Sequence, residues 1–390
     1  MNTQHDRILF IGIGGGNDIF STILAILSLR KAGWKWNQCS IAGVLSPFHI
    51  HTGTTLRARD LIEITPESKR FIDRNDGTKG IGFIDATVSR IIRETPQLGI
   101  KKVYGLPLSH GSVYLTALFR NYFADRFDFF VLVDVGGDCF YGGQRDTHVL
   151  SPMFDAMTVQ GFNESLLPGM LFEAGPGTDG ELEPESLKSA LSSLDAQESR
   201  LDTTVMQQWE ELYLRYIGPV RTGNTVPATI DAFKREQPFM TRRYRARAHI
   251  GTQKMYAAFD QRIDTGMCKS FYIVDPRQIS NPFMVRCSGP HSWFCQTQVA
   301  EHSTNCEANL EYLRNPETGK LTQFLTPSPL FPTHERRALI EHGLSEMRNR
   351  ACDSAYMHLK DWNSFIENTQ GELYQCRSEF DGLVEISPIQ

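Results

Sequence analysis

The chain has 390 residues, of which 41% are hydrophobic, so it can bury the core of one large α/β domain together with an appended element. Its net charge of −5 and the lack of a long basic run argue against a nucleic-acid polymer as a partner. Eight cysteines are scattered without a Cys-x-x-Cys pair, which disfavours a structural zinc site and favours reduced thiols in a cytoplasmic protein.

Further features bear on location and partners. The polar segment 1–7 leads directly into the first apolar run, which predicts that no signal peptide is present. The longest apolar segment, 19–29, is too short to cross a bilayer, so we expect no membrane partner. The arginine-rich stretch 242–249 is interpreted as a solvated face or an interface.

The first predicted elements are a short buried strand, Ile8–Ile11, a glycine turn, and a helix at 19–29. This combination forms an anion site, because free backbone N–H groups and the helix dipole point at one spot, and the glycines let a phosphate or carboxylate approach closely. The alternative is a tight turn without a ligand. The residues predicted to bind the anion, the last two also being candidate N-caps, are Gly12, Gly14, Gly15, Gly16, Asn17 and Asp18.

This turn departs from two known phosphate motifs. Asn17 stands where the dinucleotide fingerprint Gly-x-Gly-x-x-Gly has its third glycine, and no Lys-Ser/Thr pair follows as in a Walker loop. The second predicted strand, Ser40–Val44, runs into Leu-Ser-Pro and lacks the acidic residue that often holds the ribose of NAD. A nicotinamide cofactor is therefore disfavoured.

The most apolar run of the chain predicts a central strand over Phe129–Val133. Asp134 lies inside this run, where an unpaired carboxylate is costly, so it needs a metal ion, an arginine or backbone N–H groups as its partner. Gly136 and Gly137 leave the backbone bare beside it, and Asp138 adds a second carboxylate. We favour a ligand or metal site here over a glycine turn with Asp caps.

Two more strands complete the predicted sheet. Val103–Leu106 leads to a loop with His110, and Leu167–Phe172 leads to a loop that contains Gly175, Gly177, Asp179 and Glu181. In a parallel α/β sheet all such loops project from the carboxyl edge, where these folds bind ligands. Because strands alternate with helical stripes, we predict a Rossmann-like α/β domain over 1–285, with a mainly parallel sheet and helices on both faces.

The carboxyl-terminal part lacks the alternation of apolar strands and helical stripes seen before it. A proline-rich linker is predicted at 326–332, followed by a charged helix over 333–350. We therefore expect residues 286–390 to form a mostly helical extension. It is interpreted as an element docked on the main domain or as a contact for a homo-oligomer.

Three short boxes carry a family resemblance: Gly-Gly-Gly-Asn-Asp at 14–18, Asp-Val-Gly-Gly-Asp at 134–138, and Gly-Pro-Gly-Thr-Asp-Gly-Glu-Leu at 175–182. Ser151, Pro152 and Asp155 lie between the last two. In this order the boxes resemble a domain-of-unknown-function family found mainly in archaea and actinobacteria. The resemblance implies a Rossmann-like domain with a site built from these boxes, and it carries over no reaction.

The first functional hypothesis is an enzyme that acts on a small phosphorylated or nucleotide-like metabolite by metal-assisted group transfer or hydrolysis. Asp134, Asp138 and Asp179 would hold Mg²⁺, a hard cation suited to carboxylate oxygens and substrate phosphates. Asp134 and Asp138 would act together in catalysis, with Glu181 or His110 as general base. The alternatives are a nucleotide- or metabolite-binding regulatory module without chemistry and, disfavoured, a nicotinamide-dependent oxidoreductase.

Overall fold

The computed structural model describes residues 3–14, 17–45, 50–51, 62–72, 79–81, 84–107, 111–140, 152–180, 182–218, 225–250 and 253–279, and short segments between 298 and 388. The α-helices in these segments are α1 (Asp18–Lys31), α2 (Ile84–Glu94), α3 (Gly111–Leu118), α4 (Pro152–Ser165), α5 (Pro184–Ser193), α6 (Thr203–Leu212) and α7 (Thr225–Lys234). None of these helices is long and apolar enough to cross a membrane.

The strands up to residue 274 are β1 (Gln4–Gly12), β2 (Lys35–Leu45), β3 (Ile50–His51), β4 (Ile62–Glu63), β5 (Lys69–Ile72), β6 (Lys79–Ile81), β7 (Ile100–Pro107), β8 (Phe129–Val135), β9 (Gly169–Ala174), β10 (Gln197–Arg200), β11 (Phe239–Ile250), β12 (Gln253–Ile263) and β13 (Ser270–Val274). Those beyond it are β14 (Gln298–His302), β15 (Leu310–Arg314), β16 (Leu321–Leu325), β17 (Ser354–His358), β18 (Tyr374–Phe380) and β19 (Leu383–Pro388).

Eight strands form the main sheet, in the order β10-β13-β9-β8-β1-β2-β7-β4. The five central strands, β9-β8-β1-β2-β7, are parallel, whereas β10, β13 and β4 are antiparallel to their neighbours. Numbered along the chain, the central strands have the order 5-4-1-2-3, which is that of a Rossmann fold. The predicted Rossmann-like, mainly parallel sheet is confirmed.

Side chains of β1 alternate between two hydrophobic cores, one on each face of the sheet. Leu9 and Ile11 join a core with α3, α4 and α5, whereas Ile8 and Phe10 join a core with α1, α2, α6 and α7. All four side chains are fully buried, and each such burial stabilises the fold by about 1.5–3 kcal/mol. Helices therefore cover both faces, as the alternation of strand and helix signals predicts.

The direction of winding reverses between β1 and β8. From β1 the chain continues to β2 and β7 on one side, while β8 and β9 lie on the other. The register pairs Gly12 with Val133, so the turn after β1 and Asp134 emerge side by side at the carboxyl edge. Such a switch point is where open α/β sheets bind ligands.

The carboxyl-terminal extension corrects the prediction of a mostly helical element. Its described strands form a six-stranded, mainly antiparallel sheet in the order β14-β15-β16-β17-β19-β18. The physical reason is a period of two: Ala355 and Met357 are buried in β17, and Val384 and Ile386 are buried in β19. Within the predicted helix 333–350, residues 337–338, 340–341 and 344–345 are helical, and the predicted linker 326–332 lies outside the described residues.

The arginine-rich stretch 242–249 lies in β11, which pairs with β12 as a long antiparallel hairpin. Small or apolar residues alternate with basic ones at 245–250, a period-two pattern typical of a strand that the many charges make hard to recognise.

The boundary between the Rossmann-like domain and the extension near residue 285 stays a prediction.

Candidate functional site

The site begins at the turn between β1 and α1. A Cβ atom on Gly12 would lie 2.5 Å from the backbone of Asp18 and Ile19, so glycine is required for the helix to start this close to the strand. The backbone N–H of Gly14 donates to Oδ2 of Asp18 at 2.7 Å. Asn17 occupies the N-cap position, but its side chain makes no capping hydrogen bond. In the described part of the turn, the N–H of Gly14 therefore binds a carboxylate of its own chain.

Asp134 is the penultimate residue of β8 and is fully buried. Its Oδ2 atom accepts a hydrogen bond from the backbone N–H of Cys139 at 3.3 Å. Burial raises the pKa of this carboxyl above its ordinary value, because the charged form loses its hydration. The predicted desolvation of Asp134 is thus confirmed.

Three acidic side chains from different elements meet at the switch point. Asp18 comes from the start of α1, Asp134 from the end of β8 and Asp155 from the first turn of α4, and one carboxylate oxygen of each lies within 4.8 Å of the others. All three are at least nine-tenths buried. A Cβ atom on Gly14 would overlap Oδ2 of Asp18 and lie 2.9 Å from Oδ1 of Asp155. The backbone of Gly14 therefore packs directly against the carboxylates of Asp18 and Asp155.

A second group of potential ligands shares Asp134 and adds Cys139 and Glu173, again with ligand atoms within 4.8 Å of one another. Glu173 lies on β9 in direct register with Asp134, and its side chain is fully buried. Burial, followed by the charge of Asp134, raises the pKa of the Glu173 carboxyl well above its ordinary value. Burial and the same two carboxyls also raise the pKa of the Cys139 thiol.

The glycine loops after β8 and β9 are joined to each other. Gly136 has φ of +124°, and a Cβ atom there would lie 2.6 Å from Cβ of Asp179. The N–H of Gly177 donates to the carbonyl of Gly136 at 2.6 Å. Gly175, with φ of +62°, packs against Thr229 of α7. These glycines shape the loops around Asp134 and Asp179.

The other residues that the sequence predicts for the site lie outside the two groups of potential ligands or outside the described part of the chain. Gly137, with φ of +99°, lies against Leu187 of α5. Asp138 is half-buried in a one-turn helix, 138–140, and neither Asp138 nor Asp179 belongs to the two groups found among the described residues. The residues that fall outside the described part of the chain are Gly15, Gly16, His110 and Glu181.

The fold brings to the site three residues to which the sequence alone assigns no role: Asp155, Glu173 and Cys139. A usable signal exists for Glu173, since it is the one charged residue in the strand Gly169–Ala174, just as Asp134 is in β8. Asp155, in the first turn of α4, looks from the sequence like an ordinary residue that favours a helix start.

The chemistry of the site follows from its charge. Three buried carboxylates repel a free phosphate, and a divalent cation among them would compensate their charge. Asp18, Asp134 and Asp155 present oxygen ligands, the set preferred by Mg²⁺ and Mn²⁺, whereas the thiol of Cys139 suits a softer ion. The residues present therefore fit a metal centre.

Parallel strands in this order, with a buried acidic centre at the switch point, define a Rossmann-like α/β protein. A family model described as a protein of unknown function, DUF1152, matches residues 9–254, and the chain belongs to this family. The predicted membership in an uncharacterised family is confirmed. No curated protein and no solved structure matches the chain.

Proposed function

We propose that this protein is an enzyme that uses a divalent cation to act on a small phosphorylated or nucleotide-like metabolite by group transfer or hydrolysis. The observation that carries the proposal is the convergence of Asp18, Asp134 and Asp155 within 4.8 Å at the switch point. A ligand-binding edge and a buried acidic centre coincide there.

The cation would connect the protein to its substrate. The N–H of Gly14 already donates to Asp18, so a phosphate of the substrate would bind the cation and not this N–H group. Mg²⁺ commonly binds one or two carboxylates together with substrate phosphates. In that position it would supply Lewis-acid chemistry, polarising a phosphoryl or carbonyl oxygen of the substrate. Glu181, which comes after β9 in the sequence, or His110, which comes after β7, remains the proposed general base.

The first test measures metal binding by the full chain. Mg²⁺ and Mn²⁺ are titrated by calorimetry into protein freed of metal, and Asp155→Asn is compared with Asp128→Asn. Asp128 lies just before β8, at its opposite end, and accepts hydrogen bonds from the N–H groups of Asp6 and Arg7 at 2.9 and 2.8 Å. We expect Asp155→Asn to fold and to lose about tenfold or more in affinity, and Asp128→Asn to bind as the parent does.

The second test asks for chemistry. Nucleotides and phosphorylated metabolites are screened by thermal shift with and without the cation, and phosphate release or group transfer is measured for each hit. Turnover that requires the cation supports the proposal. Cation-dependent binding without turnover would instead identify a regulatory module, and a shift with NAD(P) alone would identify an oxidoreductase. A wild-type protein that binds no divalent cation contradicts the proposal.

A further inference from the structure

Asp134 belongs to both groups of potential ligands at the switch point. On one side it meets Asp18 and Asp155, and on the other it meets Cys139 and Glu173. Two-metal sites have this form, with neighbouring cations about 3.5–4 Å apart and ligands that serve both. The spacing within each group, with ligand atoms inside 4.8 Å, leaves room for one cation in each.

Glu173 provides a second observation that points to a ligand. Its side chain is fully buried, and neither carboxyl oxygen accepts a hydrogen bond from any described residue. Oδ1 of Asp134, on the adjacent strand, likewise has no donor within the described part of the chain. Three of the four oxygens of these two buried carboxyls thus lack a donor within the described part of the chain, and only Oδ2 of Asp134 accepts a hydrogen bond, from the N–H of Cys139. Such a facing pair needs a shared proton or a cation between its two carboxyls. A third potential ligand, the thiol of Cys139, is the feature that favours a cation.

We propose that the switch point holds two divalent cations, the first bound by Asp18, Asp134 and Asp155, the second by Asp134, Cys139 and Glu173, with the Asp134 carboxylate bridging them. The proposal rests on the proposed function for its first cation and goes beyond it in the second. The two positions differ in chemistry: the first is all oxygen, whereas the second includes a sulfur and suits Zn²⁺ or Co²⁺ better than Mg²⁺ or Mn²⁺. A pair of cations stabilises both the attacking and the leaving oxygen in phosphoryl displacement, the reaction class proposed above.

The test counts cations on the full chain. Metal-free protein is dialysed against Co²⁺, and bound metal is measured per chain. We expect two Co²⁺ ions and a thiolate-to-cobalt charge-transfer absorption that reports Cys139. We expect magnetic coupling between the two Co²⁺ ions in the electron paramagnetic resonance spectrum, because Asp134 bridges them.

Substitutions then separate the two positions. Glu173→Gln keeps the shape, removes the charge and should lower the stoichiometry from two to one. Cys139→Ser should abolish the charge-transfer absorption, while Cys268→Ser is the matched control. Cys268 is also fully buried, but its thiol lies 3.8 Å from the carbonyl of Pro176 and outside both groups. This control should keep two cations and the absorption.

The outcomes distinguish this inference from the proposed function. One bound cation, lost in Asp155→Asn and kept in Glu173→Gln, would leave the proposed function standing and overturn the second position. If, in addition, metal-free Glu173→Gln is more stable than the metal-free parent protein, the carboxyls of Asp134 and Glu173 share a proton and not a cation. No bound cation would overturn both. Should Glu173→Gln fail to fold, the cobalt absorption of the parent and its loss in Cys139→Ser decide the question.

Discussion

The backbone N–H of Gly14 donates to Oδ2 of Asp18 at 2.7 Å, so this N–H group just after β1 binds a carboxylate of its own chain. In many α/β proteins the corresponding N–H groups bind the phosphate of a ligand. Here Asp18 brings a negative charge into that position and faces Asp134 and Asp155. The element that the sequence marks as an anion site thereby becomes one side of a candidate cation site.

Gly14→Ala should weaken cation binding while leaving the fold intact. The φ angle of Gly14 is not in the left-handed region, so alanine is allowed there, but its Cβ would displace the carboxylates of Asp18 and Asp155. We expect Mg²⁺ affinity to fall about tenfold or more, equivalent to about 1.4 kcal/mol, in calorimetric titrations. The control is Gly218→Ala, where a Cβ meets its nearest neighbour at an ordinary 3.5 Å. Equal affinity in the two variants would contradict this account.

Asp138→Asn tests the pairing of Asp134 with Asp138 that the sequence predicts. Asp138 is half-buried and outside both ligand groups, whereas Asp155 belongs to one of them. We expect a smaller loss of Mg²⁺ affinity in Asp138→Asn than in Asp155→Asn, measured on folded preparations with known melting temperatures. A larger loss of Mg²⁺ affinity in Asp138→Asn than in Asp155→Asn would support the ligand set that the sequence predicts, Asp134, Asp138 and Asp179.

The stability of the metal-free protein should fall as pH rises. The pKa of the Glu173 carboxyl is raised well above its ordinary value of 4.5 in the folded protein. Between pH 4.5 and that raised pKa, the folded carboxyl therefore keeps a proton that the unfolded chain has already released. Across that window the folded state binds more protons, so the free energy of unfolding decreases with pH. Melting temperatures from about pH 5 to about pH 8 should decline less steeply in Glu173→Gln, because glutamine does not titrate. Identical slopes of melting temperature against pH in the parent protein and in Glu173→Gln would show that Glu173 does not titrate with a raised pKa.

Trp209 of α6 should be a major packing residue of the core that contains α1. It is fully buried and stacks on Phe20, with ring centroids 5.5 Å apart and an interplanar angle of 16°. Trp209→Ala should lower the free energy of unfolding by about 3–5 kcal/mol in urea titrations. Trp209→Phe should cost about 1.5 kcal/mol or less, since it keeps a ring on Phe20 and removes an indole N–H that has no acceptor among the described residues. Equal costs would show that stacking contributes little.

Limited proteolysis should separate the extension from the main domain. Within the described segments, no strand of the eight-stranded sheet pairs with a strand of the six-stranded sheet. We expect cleavage near 315–330 to leave a folded amino-terminal fragment that still binds Mg²⁺. Light scattering before and after cleavage would show whether the extension holds a homo-oligomer together. A fragment that unfolds would mean that the extension is part of the main core.

The strands and turns of the Rossmann-like domain could be predicted from local signals. Runs such as Phe129–Val133 are apolar without interruption because a central parallel strand is covered on both faces. Glycines mark the places where the chain turns or approaches itself closely, as Gly12 does against α1. The single carboxylate in the run that forms β8 was enough to single out Asp134, because an isolated buried charge has no local explanation.

The partners of Asp134 depended on the tertiary structure. The order of strands places β1 and β9 on either side of β8, and this alone brings Asp18 and Glu173 to Asp134. Asp155 arrives because α4 packs with its first turn against Gly14. These residues are far apart in the chain, and no spacing rule connects them. The six-stranded sheet of the extension was hidden for a related reason, since short strands such as β17 gain their stability from neighbouring strands and carry only a weak signal of their own.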